Sequence, residues 1–170
     1  MGFLPTSMMT MAHWPDLTQA FGGLGATILN TGELDPGLKQ LIAFAVSNAA
    51  GCRYCQAHTA KSAQKNAVSE DKIQAVFEFE SSDLFSDREK AALRVAVHAG
   101  MVPNAVESEH MRELSNYFTD KQAVEVVAVI SLFGFLNRWN DTMATTLEST
   151  PKRFAADQLA SQGWVSGKHE

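Results

Sequence analysis

Hydrophobic residues recur at every third or fourth position along most of the chain, which is the spacing of amphipathic helices. No stretch shows the strict alternation of apolar and polar positions that is typical of a strand. The predicted helices cover, approximately, residues 16–30, 36–50, 52–65, 69–77, 87–99, 104–118 and 119–148. The pattern therefore predicts an all-α protein.

Local signals support several of these helix boundaries. Asp35 followed by Pro36 is an N-cap followed by proline in the first helical position, so a helix should begin there. Gly51 interrupts the pattern between two helices, and Asn66 is a good left-handed C-cap for the second of them. Pro151 should end the last long helix, because proline removes a helical hydrogen bond.

One segment of the last long helix is apolar on nearly all sides. It runs from Val126 to Leu136, and such a helix belongs in the middle of a bundle or between subunits. An irregular, methionine-rich arm over residues 1–15 either lines a channel for an apolar substrate or packs onto a partner subunit. A polar tail is predicted over 161–170. We expect one helical domain over 1–170 that forms a homo-oligomer, because these apolar surfaces exceed what one small bundle needs.

Composition and charge narrow the classes of partner. The chain has 170 residues, of which 45% are hydrophobic, and a formal net charge of −5. An acidic protein of this kind is a poor ligand for nucleic acid or for an anionic membrane surface. The N-terminal residues lack the basic stretch of a signal peptide, and the longest apolar run is shorter than the roughly 20 residues that span a bilayer. We therefore expect a cytoplasmic protein without a membrane span.

The cysteines of the chain, Cys52 and Cys55, lie within one helical turn of each other. A secreted scaffold would scatter its cysteines to join distant segments, whereas a close pair is typical of a redox or metal site in a reducing compartment. His58 follows three residues after Cys55, so the three side chains share one face near the start of a helix.

This arrangement suits thiol chemistry. The backbone N–H groups of a first helical turn stabilise a thiolate, and the two sulfur atoms are close enough to form a disulfide. An imidazole one turn further on can accept or return a proton near neutral pH. Two different roles for the cysteines stay open at this point. They are buried small hydrophobes, or they bind zinc, although structural zinc normally takes four protein ligands.

Two segments resemble a known family. Residues 39–43 with 51–59, reading KQLIA and GCRYCQAHT, and residues 135–141, reading FLNRWND, are similar to the alkylhydroperoxidase D-like, peroxidase-related branch of the carboxymuconolactone decarboxylase superfamily. The resemblance implies an all-α helical bundle that assembles into dimers, trimers or hexamers. It also implies peroxide reduction through a disulfide, in which Cys55 attacks the peroxide and Cys52 resolves the product.

Two positions depart from the pattern of that family. Its redox members carry a glutamate twelve residues before the first cysteine, at the far end of a proton relay, and this chain has Gln40 there. A glutamine amide can orient a partner but cannot take up a proton. The family's relay histidine stands at the place of Thr59, whereas His58 of this chain keeps the same helical face.

Another acid, from the segment 138–141 or from a neighbouring subunit, can take the role of the family's glutamate in the proton relay. The plainer interpretation is that this polar segment meets solvent or a subunit interface.

Together these features predict a thiol-dependent peroxidase. The Cys55 thiolate would attack a small hydroperoxide, Cys52 would close the disulfide, and an external dithiol would restore both thiols. His58 would carry the proton, and no motif implies a metal or an organic cofactor. The alternatives are a non-catalytic redox-sensing or ligand-binding bundle, and a lyase or isomerase acting on a lactone-like acid. Only the last of these would keep its activity after both thiols are alkylated.

Overall fold

Helices account for the regular structure of this chain. The computed structural model describes residues 4–170 and contains no β-strand within that range, which confirms the predicted all-α class. The helices are α1 (Thr6–Met11), α2 (Pro15–Asn30), α3 (Pro36–Ala49), α4 (Arg53–Lys65), α5 (Glu70–Gln74), α6 (Asp87–Gly100), α7 (Ser108–Ser115), α8 (Asp120–Met143) and α9 (Ser149–Leu159). Short 3-10 turns cover Ala75–Glu78, Ala160–Gln162 and Gly167–His169. In the described part of the chain, no helix combines the length and the apolar character needed to cross a membrane.

Helix α3 lies at the centre of the bundle, where it packs against α4, α6 and α8. Its side chains Leu41, Ile42, Phe44 and Val46 are at most 1% exposed. The face of α4 that meets this core carries small residues such as Ala57, which is fully buried and lets the helices approach closely. The first turn of α4, which carries the cysteines, is therefore embedded in the core.

The apolar segment of α8 is buried on one side only. Val126, Val129 and Leu132 are at most 3% exposed, but Val127 and Phe135 are each 41% exposed. Helix α2 has no buried residue, and its Phe21 ring stacks on Phe135 with the ring centroids 5.1 Å apart. The outer faces of α2 and α8 thus form an apolar surface on the single chain.

Helix α3 also buries a charge. Lys39 is 1% exposed, and its Nζ donates hydrogen bonds to the backbone carbonyls of Ile28, at 2.8 Å, and of Thr31. The Glu125 carboxylate of α8 lies 3.6 Å from the same nitrogen. This lysine therefore holds the last turn of α2 against α3 and α8.

Two of the predicted boundaries hold and one shifts. The Asp35 carboxylate accepts a hydrogen bond from the backbone N–H of Leu38 at 3.1 Å, which confirms the N-cap of α3. Gly51 has φ +74° and separates α3 from α4, as predicted. Asn66 is not left-handed, since its φ is −97° and its side-chain amide bonds back to the Ser62 carbonyl. Ala67, with φ +63°, makes the reversal instead.

Two helix predictions are wrong at their ends. The segment predicted to be helical from residue 104 becomes helical only at Ser108, where Glu107 and His110 form a capping box. The last long helix stops at Met143 because Ala144 is left-handed, with φ +47°. Pro151 does not end a helix. It lies in the first turn of α9, where a missing N–H costs no helical hydrogen bond.

The segments near both ends of the chain are more ordered than predicted. The arm over 1–15 contains α1 rather than irregular chain, and Met11 is fully buried, while Met9 is 56% exposed. Met1 to Phe3 lie outside the described residues. The polar tail over 161–170 is packed rather than free, because Trp164 and His169 are at most 4% exposed. The indole N–H of Trp164 donates to the backbone carbonyl of Arg53 at the start of α4.

Candidate active site

The dithiol occupies the first turn of α4. Gly51 turns the chain, and Cys52 is the N-cap, so its Sγ accepts a hydrogen bond from the backbone N–H of Cys55 at 3.4 Å. Both cysteines are free thiols, and both are at most 2% exposed. The structure thus brings the two predicted sulfur atoms to one helix terminus, where a thiolate is stabilised.

The two thiols differ in acidity. The hydrogen bond from the Cys55 thiol lowers the pKa of Cys52, and the N–H groups of Cys55 and Tyr54 add to this effect. Burial raises the pKa of Cys55 well above its ordinary value, although the Asn140 side chain, whose Nδ2 donates to Cys55 Sγ at 3.5 Å, acts in the opposite direction. Cys52 is therefore the more acidic thiol of the pair.

His58 is paired with a carboxylate from the residue that precedes α9. Its Nε2 lies 2.6 Å from Glu148 Oε2, and Glu148 Oε1 accepts from the Tyr54 hydroxyl at 3.0 Å and from the backbone N–H of Thr6 at 2.5 Å. Burial alone would raise the pKa of Glu148, but the hydrogen bonds from His58 and Thr6 outweigh it and lower the pKa to about 2. Glu148 is therefore ionised at neutral pH.

Tyr54 and helix α1 enclose this ion pair. The Tyr54 ring stacks on the His58 ring with the centroids 4.4 Å apart, and its hydroxyl accepts from the backbone N–H of Ser7 at 3.3 Å. Burial and the neighbouring Glu148 carboxylate raise the pKa of Tyr54 well above its ordinary value, so it stays protonated. Because the start of α1 supplies backbone donors to both Tyr54 and Glu148, this helix covers the His58 side of the site.

Glu148 is one candidate functional residue that the sequence interpretation missed. The family resemblance points to position 40, but Gln40 lines a separate pocket beside Ser62 and Lys65. Glu148 lies 90 residues from His58, so no local spacing connects the two. Glu148 is the N-cap of α9, and Pro151 in the first turn of that helix is a local signal for it. The sequence interpretation did not use this signal, because it predicted one unbroken helix up to residue 148.

The polar segment 138–141 of α8 also reaches the site, but through the Asn140 amide and not through an acid. Asn140 is 1% exposed and contacts Cys55, whereas Asp141 pairs with Lys168 of the C-terminal tail at 2.8 Å. The Asp141 charge contributes to raising the pKa of both thiols. Arg138 lines a cleft between α3, α6 and α8. The interpretation that this whole segment meets solvent or a subunit interface is therefore wrong for Asn140.

The described residues do not form a ready-made metal site. Across residues 4–170, no group of three or more histidine, cysteine, aspartate or glutamate side chains is placed to hold a metal ion. The arrangement at the start of α4 is instead a dithiol beside an ionised carboxylate–histidine pair, which can move two electrons and a proton.

The region that carries this site matches a known family. A model of the carboxymuconolactone decarboxylase family matches residues 15–98, the segment that carries both cysteines and His58. The chain belongs to the carboxymuconolactone decarboxylase family. A similar protein is the uncharacterized protein YnjA of Escherichia coli, which is 30% identical over 110 residues. That alignment covers 65% of this chain and 60% of the length of the relative.

The similarity of this family member to solved structures covers more of the chain than the family model does. The debrominase Bmp8 is 40% identical, with a TM-score of 0.87 over 93% of this chain and 84% of that chain. A cysteine-to-alanine variant of Bmp8 is known in complex with 2,3,4-tribromopyrrole. The alkylhydroperoxidase AhpD core, an uncharacterized peroxidase-related protein from Ralstonia eutropha, is 26% identical, with a TM-score of 0.70 over 83% of this chain and 75% of that chain.

Proposed function

We propose that this protein is a thiol-dependent reductase in which the Cys52–Cys55 dithiol delivers two electrons to a small electrophile, with hydroperoxides as the acceptor class. The observation that carries the proposal is that a buried dithiol shares the first turns of α4 with His58, whose ring is paired with the ionised Glu148 carboxylate from the start of α9. A redox-inert pair of cysteines would need no such partner, whereas general acid–base assistance to thiol attack does.

The reaction balances with the groups at hand and one external reductant. A Cys55 thiolate attacks the terminal oxygen of the hydroperoxide, the O–O bond breaks, and the leaving alkoxide takes a proton from His58. The product is a sulfenic acid on Cys55. Cys52 attacks that sulfur, water leaves, and a disulfide forms. An external dithiol then reduces the disulfide and restores both thiols.

The thiol acidities add one requirement to this sequence of steps. Because the pKa of Cys52 is lowered and that of Cys55 is raised, attack by Cys55 needs its proton to pass to a base such as Cys52 or His58. The Asn140 amide then stabilises the negative charge on Cys55. Trapping of sulfenic acid in Cys52→Ser but not in Cys55→Ser supports this order. The reverse result assigns the attack to Cys52.

A second candidate acceptor is a halogenated aromatic ring. The likeness to the debrominase Bmp8 along 93% of the chain favours it. The same dithiol would supply the electrons: the carbon–bromine bond breaks, bromide leaves, the ring carbon takes up a proton, and a Cys52–Cys55 disulfide forms. Both candidates therefore share the dithiol, the proton carrier and the external reductant, and differ in the acceptor alone.

Steady-state turnover tests the proposal. Wild-type protein, Cys52→Ser, Cys55→Ser and His58→Ala are each given an excess of external dithiol, with cumene hydroperoxide or 2,3,4-tribromopyrrole as acceptor. We expect sustained turnover of at least one acceptor by the wild type and loss of sustained turnover in both cysteine variants. Consumption of one equivalent of acceptor without recycling would instead identify a redox sensor. Turnover that survives alkylation of both thiols would refute thiol chemistry altogether.

A further inference from the structure

The tail over 161–170 packs on the segment that separates the two cysteines. The indole N–H of Trp164 donates to the backbone carbonyl of Arg53 at 3.3 Å. The centroid of the His169 ring lies 6.0 Å from that of the Tyr54 ring. Both contacted residues lie between the cysteines in the sequence, and both tail residues are at most 4% exposed. The tail is therefore a buried wall beside the dithiol.

The contacts of His169 determine which ring nitrogens carry hydrogen. Its Nδ1 is 2.9 Å from the backbone oxygen of Thr145, which can only accept, so Nδ1 is the donor. A neutral ring would then present a bare lone pair at Nε2. That atom is buried and has no hydrogen-bond partner within residues 4–170, and Asp141 Oδ1, itself an acceptor, lies 3.7 Å away. Only the protonated ring makes this contact attractive, because Nε2 then carries a hydrogen and a positive charge.

Asp141 connects this ring with the thiols. It follows Asn140, whose amide donates to Cys55 Sγ at 3.5 Å. At Cys55 burial is the main reason for the raised pKa, and the Asp141 charge adds to it. At Cys52, where the hydrogen bond from Cys55 lowers the pKa, the Asp141 charge acts in the opposite direction. This carboxylate therefore opposes the formation of a thiolate at either sulfur atom.

The tail places one cationic group beside each oxygen of this carboxylate. Lys168 Nζ lies 2.8 Å from Asp141 Oδ2, and His169 Nε2 faces Oδ1. Other charged or titratable groups near the ring come from α4, the loop 144–148, α9 and the tail, and they are Tyr54, Glu148, Lys152 and Glu170. Tyr54 stays protonated, Glu148 pairs with His58, and Lys152 pairs with Glu170. Asp141 is thus the anion that His169 meets.

We propose that His169 is a positioning residue for the dithiol, which holds a proton beside Asp141 and so offsets the carboxylate charge that opposes thiolate formation. Histidine is suited to this role because it is the side chain that changes its charge near neutral pH. The proposal rests on the proposed function in one respect, which is that the dithiol is the reacting group. His169 touches neither the acceptor nor the sulfur atoms, and it acts through Asp141.

The ionisation of the thiols can be followed directly by the ultraviolet absorbance of thiolate across pH, on the reduced full-length protein. His169→Asn keeps an N–H group for the Thr145 carbonyl but cannot carry a charge. We expect it to raise the thiolate midpoint by about 0.5 pH unit, or about threefold in the ionisation constant, which is the effect of a unit charge several ångströms away near a protein surface. Asp141→Asn should lower the midpoint by a similar amount, and the double variant should match Asp141→Asn.

His98→Asn is the matched control. His98 Nδ1 also lies close to a backbone carbonyl, that of Arg94 at 2.8 Å. Its ring, however, lies against His110 of α7, with the centroids 4.1 Å apart, instead of against α4. The thiolate midpoint of this variant should equal that of the wild type.

Three results would overturn the inference. The first is an unchanged midpoint in His169→Asn, and the second is an equal upward shift when this change is made in the Asp141→Asn background, since the effect would then not pass through the carboxylate. The third needs no variant to fold: nitrogen NMR of the wild type at neutral pH should show hydrogen on both His169 ring nitrogens, and a ring protonated on Nδ1 alone would exclude the role. Because none of these measurements needs an acceptor, the expected shifts without any turnover would refute the proposed function alone.

Discussion

Replacing Glu148 by glutamine removes the negative charge of the proton relay and keeps the size of the side chain. The glutamine oxygen can still accept from the Tyr54 hydroxyl and from the Thr6 N–H, but His58 loses its anionic partner 2.6 Å away. That carboxylate fixes the imidazole tautomer and stabilises the positive charge that arises when the ring takes up a proton. Positioned acid–base groups contribute about 10²–10⁴-fold, and Glu148→Gln keeps the histidine, so we expect turnover to fall by about 100-fold.

The same substitution changes the acid stability of the protein. The pKa of Glu148 falls from its ordinary 4.5 to about 2 on folding, so its carboxylate stabilises the native state above pH 4.5. This contribution is lost as the pH falls through about 2. The fall corresponds to at most about 3.5 kcal/mol, at about 1.4 kcal/mol per pH unit. Since the side chain is 18% exposed, solvent screening reduces it to about 1–2 kcal/mol.

The assay is turnover against pH for wild type, Glu148→Gln and His58→Ala, with denaturant unfolding at neutral pH and near pH 2. Glu33→Gln serves as the control, because Glu33 forms an exposed ion pair with Lys121 on another part of the surface. The difference in unfolding free energy between wild type and Glu148→Gln should shrink as the pH falls from 4.5 toward 2. Turnover of Glu148→Gln within about twofold of wild type at every pH would refute the relay, since that is the scale of an ordinary surface change.

Mild oxidation should join Cys52 and Cys55 in an intrachain disulfide, seen by mass spectrometry as the loss of two hydrogens, and two alkylatable thiols after peroxide treatment would contradict the redox proposal. Light scattering should return a multiple of the 18.5 kDa chain, because Phe135 and its neighbours leave an apolar face on the single chain, and an 18.5 kDa particle at all concentrations would exclude the homo-oligomer. Gln40→Glu should change turnover by less than about twofold, because Glu148 already supplies the carboxylate, and a larger gain would assign the relay to α3. Lys39→Met should lower the free energy of unfolding by about 2 kcal/mol in a denaturant titration, because it leaves the Ile28 and Thr31 carbonyls without their Lys39 donor; no measurable loss would contradict that role.

The parts of the site that the sequence predicts are those joined by local geometry. Cys52, Cys55 and His58 lie within seven residues of one another, and helical spacing alone places them on one face. Glu148 and Asn140 reach the same place through tertiary packing of α8 and of the loop after it, which no spacing rule contains. The resemblance to a family implies a carboxylate at position 40, where this chain has Gln40, whereas the carboxylate that pairs with His58 is Glu148.

The boundaries of the helices show the same division. The N-cap at Asp35 and the turn at Gly51 depend on one or two residues, and both were predictable. The end of α8 depends on Ala144 adopting a left-handed conformation, which alanine seldom does without support from its surroundings. That support includes the tail, where the His169 carbonyl accepts from the Leu147 N–H at 2.9 Å. The prediction of an unbroken helix failed because it read these residues without their distant partners.

The distance along the chain between His58 and Glu148 has a consequence for synthesis. The two residues are 90 positions apart, and Thr6 and Glu148 are 142 apart. The contacts of Glu148 with His58 and Thr6 therefore form only after the residues just before α9 have been made. Ribosomes add about 5–20 residues per second, so a nascent chain carries its dithiol for roughly 5 to 20 seconds before the glutamate is made. During that interval His58 has no carboxylate partner, and the core around the cysteines is incomplete.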